Sequence, residues 1–269
     1  MDLTKDNITE LIKKIAIPAS VGTFFQTMYN LVDSKFAGLI SPEALTAIVK
    51  SFPIYLIIIA ASVGISAGTT ALISNTLGQK NTEKASVLFA QSIIVALLIT
   101  FVVTFIGIAS IKDILIILKS NNQIISYATD YMNVIFSGSI VIFLLVTINA
   151  SLVSRGDTKS YRNVLIFSFF LNILLNPLFI YGFYLIPAMG ISGIALATIV
   201  SELVGLIYII YNNPHINDLI KIQTDVYYLH IVIVKIVFEN GAKLGYQPQN
   251  DIYSELYFPP KPLGQNGLE

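Results

Sequence analysis

Long uncharged stretches separate short clusters of charged residues along most of this chain. The stretches lie between Lys50 and Lys80, Lys84 and Lys112, Asp130 and Arg155, and Arg162 and Glu202. An apolar helix needs roughly 20 residues to cross about 30 Å of hydrocarbon, so each stretch can hold one span and the last can hold two. The pattern predicts an all-α membrane protein.

Six transmembrane helices fit this pattern. We predict spans at about 15–36, 51–77, 86–111, 131–154, 163–183 and 187–210. Pro187, Gly190 and Gly193 divide the last uncharged stretch, because such residues favour a connection over a continuous helix. Residues 1–211 are therefore predicted to form one six-span unit.

The segment 212–269 differs from the spans in composition. Its single apolar run, 226–238, is too short to cross a membrane, since a helical span needs about 20 residues. The last part of the segment is rich in Gly, Pro, Asn and Gln, a composition that buries little apolar surface. We predict a poorly ordered cytoplasmic tail and assign it no function.

The overall composition excludes several functional classes. Hydrophobic residues make up 55% of the 269 residues and charged residues 12%, against about 25% charged residues in a soluble domain. Sixteen basic residues balance sixteen acidic ones, which leaves no basic surface for nucleic acid. The chain has no cysteine, and both histidines, His215 and His230, lie in the tail. The spans thus offer no Ser-His-Asp triad and no His-rich metal site, so we predict a protein that is not an enzyme and holds no cofactor or metal.

An energy source of its own is also missing from the sequence. No G-x-x-x-x-G-K-[ST] loop for nucleotide phosphates occurs, and the nearest approach is Gly78-Gln79-Lys80. A chain that moves solutes without an ATPase has an ion gradient as its natural drive. Polar residues inside the spans should then show where the ion binds.

Lysine and arginine are unevenly divided between the two sets of span ends. One set holds Lys5, Lys13, Lys14, Lys80, Lys84, Arg155, Lys159 and Arg162, and the other holds Lys35, Lys50, Lys112 and Lys119. Loops that retain positive charge tend to remain in the cytoplasm. We therefore predict a multi-pass protein of the cell membrane with its N-terminus in the cytoplasm.

Asp33 is the most informative polar position. A carboxylate inside a span costs roughly 2.5–3.5 kcal/mol on insertion scales, so it usually faces a polar cavity and a partner. Gln26, Tyr29, Asn30 and Asp33 follow helical spacing and predict one polar stripe on the first span. The alternative is that Asp33 is simply interfacial near the outer end of the span.

The fifth span carries a second polar stripe, Ser168, Asn172 and Asn176, at successive steps of four. Pro177 removes a helical hydrogen bond and frees a carbonyl between the two asparagines. This pattern predicts an oxygen-rich cation or water site, or else a helix kink with interhelical hydrogen bonds. Glu202, in the sixth span, either faces the same cavity or is satisfied by a neighbouring helix.

Two glycines of the second span predict close packing of helices. Gly64 and Gly68 have the G-x-x-x-G spacing that lets two helix backbones approach.

Several segments together resemble a known family. The stretch Tyr29-Asn30-Leu31-Val32-Asp33 is followed by ALTAIVKSFPIY and GISAGTTALISNTLGQKNTEKA. SRGDTKS, NILLNPLFIYG and PAMGISGIALATIVSE then occur in that order. These segments are similar to the first six spans of multidrug and toxic-compound extrusion (MATE) transporters, over about residues 10–211.

This resemblance implies one six-helix lobe of an antiporter that exports organic cations or drugs in exchange for H⁺ or Na⁺. It implies that the ion-coupling carboxylate is Asp33 and that the asparagine of the fifth span beside it is Asn172. The polar stripes add Asn176 to the predicted ion site, and they predict with Glu202 a substrate cavity that includes Gln26, Tyr29, Asn30, Ser168 and Glu202. The family usually has Asp before the proline of the fifth span, where this chain has Asn176.

Six spans also imply an incomplete transporter, because most such proteins are built from two repeats. Either two copies associate as a homodimer, or the chain is a truncated half. Two other functions remain open: a flippase for lipid-linked oligosaccharides, and a remnant that transports nothing. A flippase should line its cavity with Arg and Lys to hold pyrophosphate, and the spans contain almost none. The sequence therefore favours small organic cations as substrates.

Overall fold

A computed structural model describes residues 8–212, which form six α-helices packed into one bundle. The helices are α1 (Ile8–Ile40), α2 (Pro42–Gly78), α3 (Thr82–Ile117), α4 (Asn122–Val153), α5 (Lys159–Tyr181) and α6 (Ile191–Asn212). The predicted six-helix, all-α unit is confirmed. The predicted tail at 212–269 lies outside the described residues, apart from Asn212 at the end of α6.

Five of the helices, α2 to α6, are long and apolar enough to cross a membrane. Among the described residues, the first helix has 33 residues and is long enough to span, but it is less apolar than the other five. Polar side chains dilute its apolar character. Most helices extend beyond the predicted spans, because a helix can continue past the hydrocarbon boundary.

The connection between the fifth and sixth helices is longer than the approximate bounds predicted. The structure ends α5 at Tyr181 and starts α6 at Ile191, so the predicted end at 183 and start at 187 both lie in the connection. Gly182 and Gly190 have φ values of 77° and 56°, a left-handed backbone that glycine adopts without strain. These two glycines turn the chain out of α5 and into α6.

The bundle has two ends, which the short connections define. The end called here the N-terminal end holds the start of α1, the α2–α3 and α4–α5 connections and the end of α6. The far end holds the α1–α2, α3–α4 and α5–α6 connections.

Helix α4 lies at the centre of the bundle and packs against α2, α3 and α6, while α5 packs against α1 and α6. Large side chains fill the core around α4, among them Phe89, Phe136 and Phe143, each at most 2% exposed. The close approach predicted at Gly64 was wrong, since no atom lies within 4 Å of the position its Cβ would occupy. Close contact occurs instead at Gly107, Gly138, Gly193 and Gly205, where a neighbouring helix fills that position.

Many hydroxyl groups inside the helices are satisfied within their own helix. Ser51, Thr100 and Thr147 each donate a hydrogen bond of 2.7 Å to the carbonyl oxygen four residues earlier. Such bonds let a hydroxyl lie in an apolar bundle without a separate partner. These residues therefore need no functional explanation.

Lys50, two turns into α2, is satisfied by the end of α3. Its ammonium group donates to the carbonyl oxygen of Leu118 at 2.9 Å and to the hydroxyl of Ser120 at 3.1 Å. The last carbonyls of a helix lack partners within the helix and carry partial negative charge. The lysine thus ties α2 to α3 at the far end.

Candidate functional site

Asp33 lies in α1, seven residues before its end, and is 4% exposed. Its Oδ1 accepts a hydrogen bond of 3.0 Å from Asn176 Nδ2, and its Oδ2 accepts one of 2.9 Å from Thr198 Oγ1. Both carboxylate oxygens are therefore bound by donors from two other helices. Asp33 is therefore held inside the bundle by α5 and α6.

Helix α5 supplies the amide groups of the site. Asn172 and Asn176 are both fully buried, and Asn176 Nδ2 also donates to Asn172 Oδ1 at 2.9 Å. The amide of Asn176 has two protons, so one goes to each acceptor. Asn176 Oδ1 and Asn172 Nδ2 are buried without a hydrogen-bond partner. Pro177 follows directly within α5, as the sequence predicts.

Helix α6 completes the site with Thr198. Its Oγ1 lies 2.9 Å from Asp33 Oδ2 and 3.1 Å from the carbonyl oxygen of Ile194. A hydroxyl has one proton, so it can serve the carboxylate or the carbonyl, but not both fully. The hydroxyl of Tyr29 donates to the carbonyl oxygen of Thr198 at 3.1 Å, which fixes α1 against α6 at this point.

The predicted polar stripe of α1 is split by the tertiary structure. Tyr29 and Asp33 are buried and face α6, whereas Gln26 and Asn30 are exposed. Residues spaced by three and four cover a broad band of the helix surface, so one edge of the band can face the bundle while the other edge faces outward. The four residues do not form one continuous surface.

Asp33 also opens onto a cavity of about 440 Å³. The cavity lies mainly between α1 and α2 and is lined by Thr27, Met28, Asn30, Leu31, Asp33, Ser34, Ile48, Val49, Ser51, Phe52, Tyr55 and Tyr131. This volume is in the range of small-molecule pockets, which are about 300–1,000 Å³. Asp33 is the one charged residue among those lining it.

The other residues predicted for the cavity are placed elsewhere. Gln26, Tyr29, Ser168 and Glu202 are not among the residues that line it. Ser168 is buried and donates to the carbonyl oxygen of Ser201 at 3.0 Å, which joins α5 to α6. Glu202 lies one helical turn beyond Thr198, and its Oε2 is buried without a hydrogen-bond partner.

Thr198 is a site residue that the sequence pattern did not predict. A threonine in an apolar helix usually bonds its own backbone, as several do here, so its type carries little signal. The position of Thr198 along its helix could have indicated that it lies near Asp33 and Asn176. Thr198 is seven residues from the far end of α6, Asp33 seven from that end of α1 and Asn176 five from that end of α5.

Replacement of Thr198 with valine should destabilise the bundle, because valine keeps the shape but leaves Asp33 Oδ2 without its donor. A buried polar group that loses its partner costs about 1–3 kcal/mol. Unfolding of the purified chain in lipid bicelles by a denaturing detergent measures this cost. Thr198→Ser keeps the hydroxyl and should remain within about 1 kcal/mol of the parent, which is the lower limit of that penalty. Equal stability of the two variants would show that the Thr198 hydrogen bond contributes nothing.

Known proteins are similar in sequence to the part of the chain that forms this site. The MatE family model matches residues 18–178. A FAD transporter of Shewanella oneidensis is 28% identical over 199 residues, which are 74% of this chain and 44% of the relative. The probable multidrug resistance protein NorM of Thermotoga maritima is 30% identical over 217 residues, which are 78% of this chain and 46% of the relative.

A solved structure shows the same fold. It is an outward-facing conformation of a multidrug resistance MATE family transporter of the MOP superfamily, 27% identical, with a TM-score of 0.75. The match covers 86% of this chain and 51% of that chain. The chain thus spans about half the length of the proteins it resembles.

Proposed function

Because the chain belongs to the MatE family and forms one lobe of the MATE fold, we propose that it acts as half of an antiporter. The lobe exports small organic cations in exchange for H⁺ or Na⁺. One observation carries this proposal: a single buried carboxylate, Asp33, is held by donors from α5 and α6 and also lines a cavity. A group shared between an ion site and a cavity can respond to both ligands.

The lining of the cavity supports a cationic substrate. One carboxylate lies among aromatic and apolar side chains, including Phe52, Tyr55 and Tyr131. Aromatic faces attract organic cations, and an apolar wall with few polar groups suits a small molecule. The cavity has no lysine or arginine in its lining, which disfavours the phosphates of FAD or of a lipid-linked oligosaccharide.

The ion site that we propose offers oxygen atoms as ligands. The oxygens of Asp33 and Asn172 accept from the Asn176 amide group, and Thr198 Oγ1 lies 2.9 Å from the other oxygen of Asp33. Asn176 Oδ1 is a buried acceptor without a hydrogen-bond partner. Hard cations such as Na⁺ bind carboxylate, amide and hydroxyl oxygens, and a carboxylate alone suffices for H⁺. Both ions are therefore candidates, and the gradients must be tested separately.

The distribution of Lys and Arg gives the orientation that we propose. The N-terminal end of the bundle carries most of the positive charge in the described residues, at Lys80, Lys84, Arg155, Lys159 and Arg162. That end is assigned to the cytoplasm of a multi-pass protein in the cell membrane. The Asp33 site then lies in the outer half of the membrane.

Transport also needs a second lobe. A bound ion must be exposed to each side in turn, and this usually requires one repeat to move against another. A second copy of this chain would have the same orientation, so two copies would form a parallel two-fold dimer. A separate second lobe is the other partner that this requirement allows.

We expect coupled transport only when two lobes are present. Liposomes loaded with an ethidium-like dye are given either a Na⁺ or a pH gradient, and dye flux is measured at decreasing ratios of protein to lipid. A dimer predicts that the flux per chain falls as vesicles come to contain single copies. A tandem fusion of two copies should restore it, since the start of α1 and the end of α6 lie at the same end of the bundle.

Each outcome of this experiment decides a part of the proposal. Flux that follows only one gradient identifies the coupling ion. Flux that stays proportional to protein down to single copies would overturn the need for a second lobe. No flux with either gradient, including the tandem fusion, would overturn the homodimer and leave a separate second lobe or a remnant that transports nothing.

A further inference from the structure

The connection between α5 and α6 forms a small hairpin with an apolar tip. The backbone N–H of Phe183 donates to the carbonyl oxygen of Ile186 at 3.0 Å, and that of Ile186 donates back at 2.9 Å. Tyr184 and Leu185 form the tip, and Tyr184 has a φ of 51°, which is uncommon for a bulky residue. Such a backbone persists only where the surrounding structure holds it.

Both ends of the hairpin are tied to α5. Met189 N donates to the carbonyl oxygen of Phe179 at 2.9 Å, and Gly190 N donates to that of Ile180 at 3.2 Å. A Cβ at Gly182 would lie 2.7 Å from two backbone atoms on the returning side of the hairpin. These contacts hold the tip in a defined position at the far end of α5 and α6.

The side chains of the hairpin are among the most exposed apolar groups of the described chain. Tyr184 is 94% exposed, Leu185 86% and Phe183 71%. No charged residue occurs between Arg162 and Glu202, so the hairpin has no charged side chain to bind water. Exposed apolar patches of this kind mark contact with a protein or a membrane.

The exposed face of α5 leads directly to the hairpin. Four large side chains on this helix are more than half exposed and share one face by helical spacing: Phe167, Phe170, Leu174 and Tyr181. Lipid chains are as apolar as these side chains and solvate such a face of a spanning helix. The hairpin therefore continues a lipid-facing surface, which favours lipid over protein as its neighbour.

Helix lengths place the hairpin at the edge of the bilayer. With 23 and 22 residues, α5 and α6 are roughly 33–35 Å long, close to the roughly 30 Å of hydrocarbon. Helices α3 and α4, with 36 and 32 residues, are about 48–54 Å long, and Asp130 lies eight residues after the start of α4. The α3–α4 connection therefore extends past the hydrocarbon, whereas the α5–α6 connection lies at its boundary.

The backbone of the tip limits how deeply it can enter the membrane. Among residues 8–212, the N–H groups of Tyr184 and Leu185 have no hydrogen-bond partner. Unpaired backbone groups are costly in hydrocarbon, but they can bind water and headgroup oxygens at the interface. Tyrosine side chains, which have an apolar ring and a polar hydroxyl, are enriched at the same level. The tip thus fits the headgroup layer of the bilayer.

We propose that the hairpin 183–186 is an interfacial anchor, which inserts the side chains of Tyr184 and Leu185 into the headgroup layer of the adjoining leaflet. Its partner is a phospholipid surface, and no particular headgroup is required because the hairpin has no charge. The anchor sets the height in the bilayer of the two helices that carry Asn176 and Thr198. This role goes beyond the proposed transport function and does not depend on it.

Tryptophan fluorescence of the full chain tests the anchor, because the native chain has no tryptophan. Tyr184→Trp is placed in phosphatidylcholine nanodiscs whose acyl chains carry bromine either close to the headgroup or close to the chain end. Iodide is the quencher in the water. We expect a blue-shifted emission that is quenched by bromine close to the headgroup and little by iodide. The control is Gln123→Trp, exposed in the first turn of α4 at the same end, which iodide should quench instead.

A second pair of variants separates the native hairpin from the preference of tryptophan for interfaces. Leu185→Cys and Gln123→Cys each introduce one small thiol into a chain without cysteine. In nanodiscs, a membrane-impermeant maleimide should label Leu185→Cys much more slowly than Gln123→Cys. After unfolding in sodium dodecyl sulfate, the two rates should become equal.

Three results would overturn the proposal. Equal quenching of the two tryptophan variants by iodide would place the hairpin in water. Protection of Tyr184→Trp from iodide without quenching by either brominated lipid would assign the hairpin to a protein contact, such as a second copy of this chain. Equal labelling of the two cysteine variants in nanodiscs would show that tryptophan itself had drawn the tip into the membrane.

Discussion

Asparagine in place of Asp33 is expected to abolish ion-driven export of a cationic dye. The substitution keeps the size of the side chain but removes the only charged group in the cavity lining and in its hydrogen-bonded site. An asparagine cannot release a proton or neutralise a cation, so ion binding no longer changes the charge seen by the substrate. We expect the initial rate of gradient-driven flux to fall to that of vesicles without protein.

The same variant should still fold. Removing the charge relieves an insertion cost of roughly 2.5–3.5 kcal/mol. Asparagine has one oxygen where the carboxylate has two, so one of the two donors that Asp33 serves loses its acceptor, and a hydrogen bond to a charged group contributes about 1.5–3 kcal/mol. These opposing terms are of similar size, so the loss of transport should occur at unchanged expression and monodispersity.

Asp113→Asn is the matched control for this prediction, because Asp113 is exposed near the end of α3. Flux is compared at equal protein density in the form of the chain that transports, including the tandem fusion. Normal flux in Asp33→Asn, with Asp113→Asn also normal, would remove Asp33 from the ion-coupling role.

Alanine in place of Gly193 is expected to have the largest effect on stability. A Cβ at this position would lie 2.6 Å from the carbonyl carbon and oxygen of Phe179 and 2.9 Å from the amide nitrogen of Ile180. These are backbone atoms of α5, so no side-chain rotation can relieve the clash. Inserting atoms into a packed core costs about 1–3 kcal/mol, and a backbone clash should reach at least the upper part of that range.

The damage should extend to the ion site. Met189 N donates to the Phe179 carbonyl oxygen at 2.9 Å, so a shift of α6 also strains the connection between the helices. Thr198 lies five residues further along α6, and its hydroxyl must stay on Asp33. A displaced α6 therefore weakens the fold and the site together.

Detergent-induced unfolding in bicelles measures this effect, and Gly64→Ala provides the control. No atom lies within 4 Å of a Cβ at Gly64, so alanine there should be neutral or stabilise the helix by up to about 1 kcal/mol. Equal stability of the two variants would show that the α5–α6 contact does not limit the stability of the bundle.

The helices themselves were predictable from the sequence, because a span is a local property. Uncharged length and apolar composition are sufficient to specify where a helix can cross a membrane. Proline and glycine also indicated where the fifth and sixth helices are divided, although the turn between α5 and α6 occupies more residues than predicted. Two left-handed glycines, Gly182 and Gly190, decide that turn, and φ cannot be read from composition.

The site was predictable in part. Asp33 and the α5 asparagines stood out because buried charged and amide groups need partners, and the structure does bring Asp33, Asn172 and Asn176 together. The roles in ion coupling that the sequence assigned to them stay predictions. Thr198 did not stand out, since a threonine that bonds its own helix and one that donates to Asp33 look alike in sequence.

By itself, then, the sequence determined the number of helices, their apolar character and the residues that had to find partners, because each follows from the cost of placing one segment in hydrocarbon. Only the tertiary structure decided which partners they found. The spacing of Gly64 and Gly68 predicted a close contact that is absent at Gly64, while Gly193, which belongs to no G-x-x-x-G pair, lies directly on the backbone of α5. Contacts of this kind depend on the rotation and height of one helix against another, which many distant side chains set jointly. The same relative placement turned Tyr29 and Asp33 inward onto α6 and left Gln26 and Asn30 exposed.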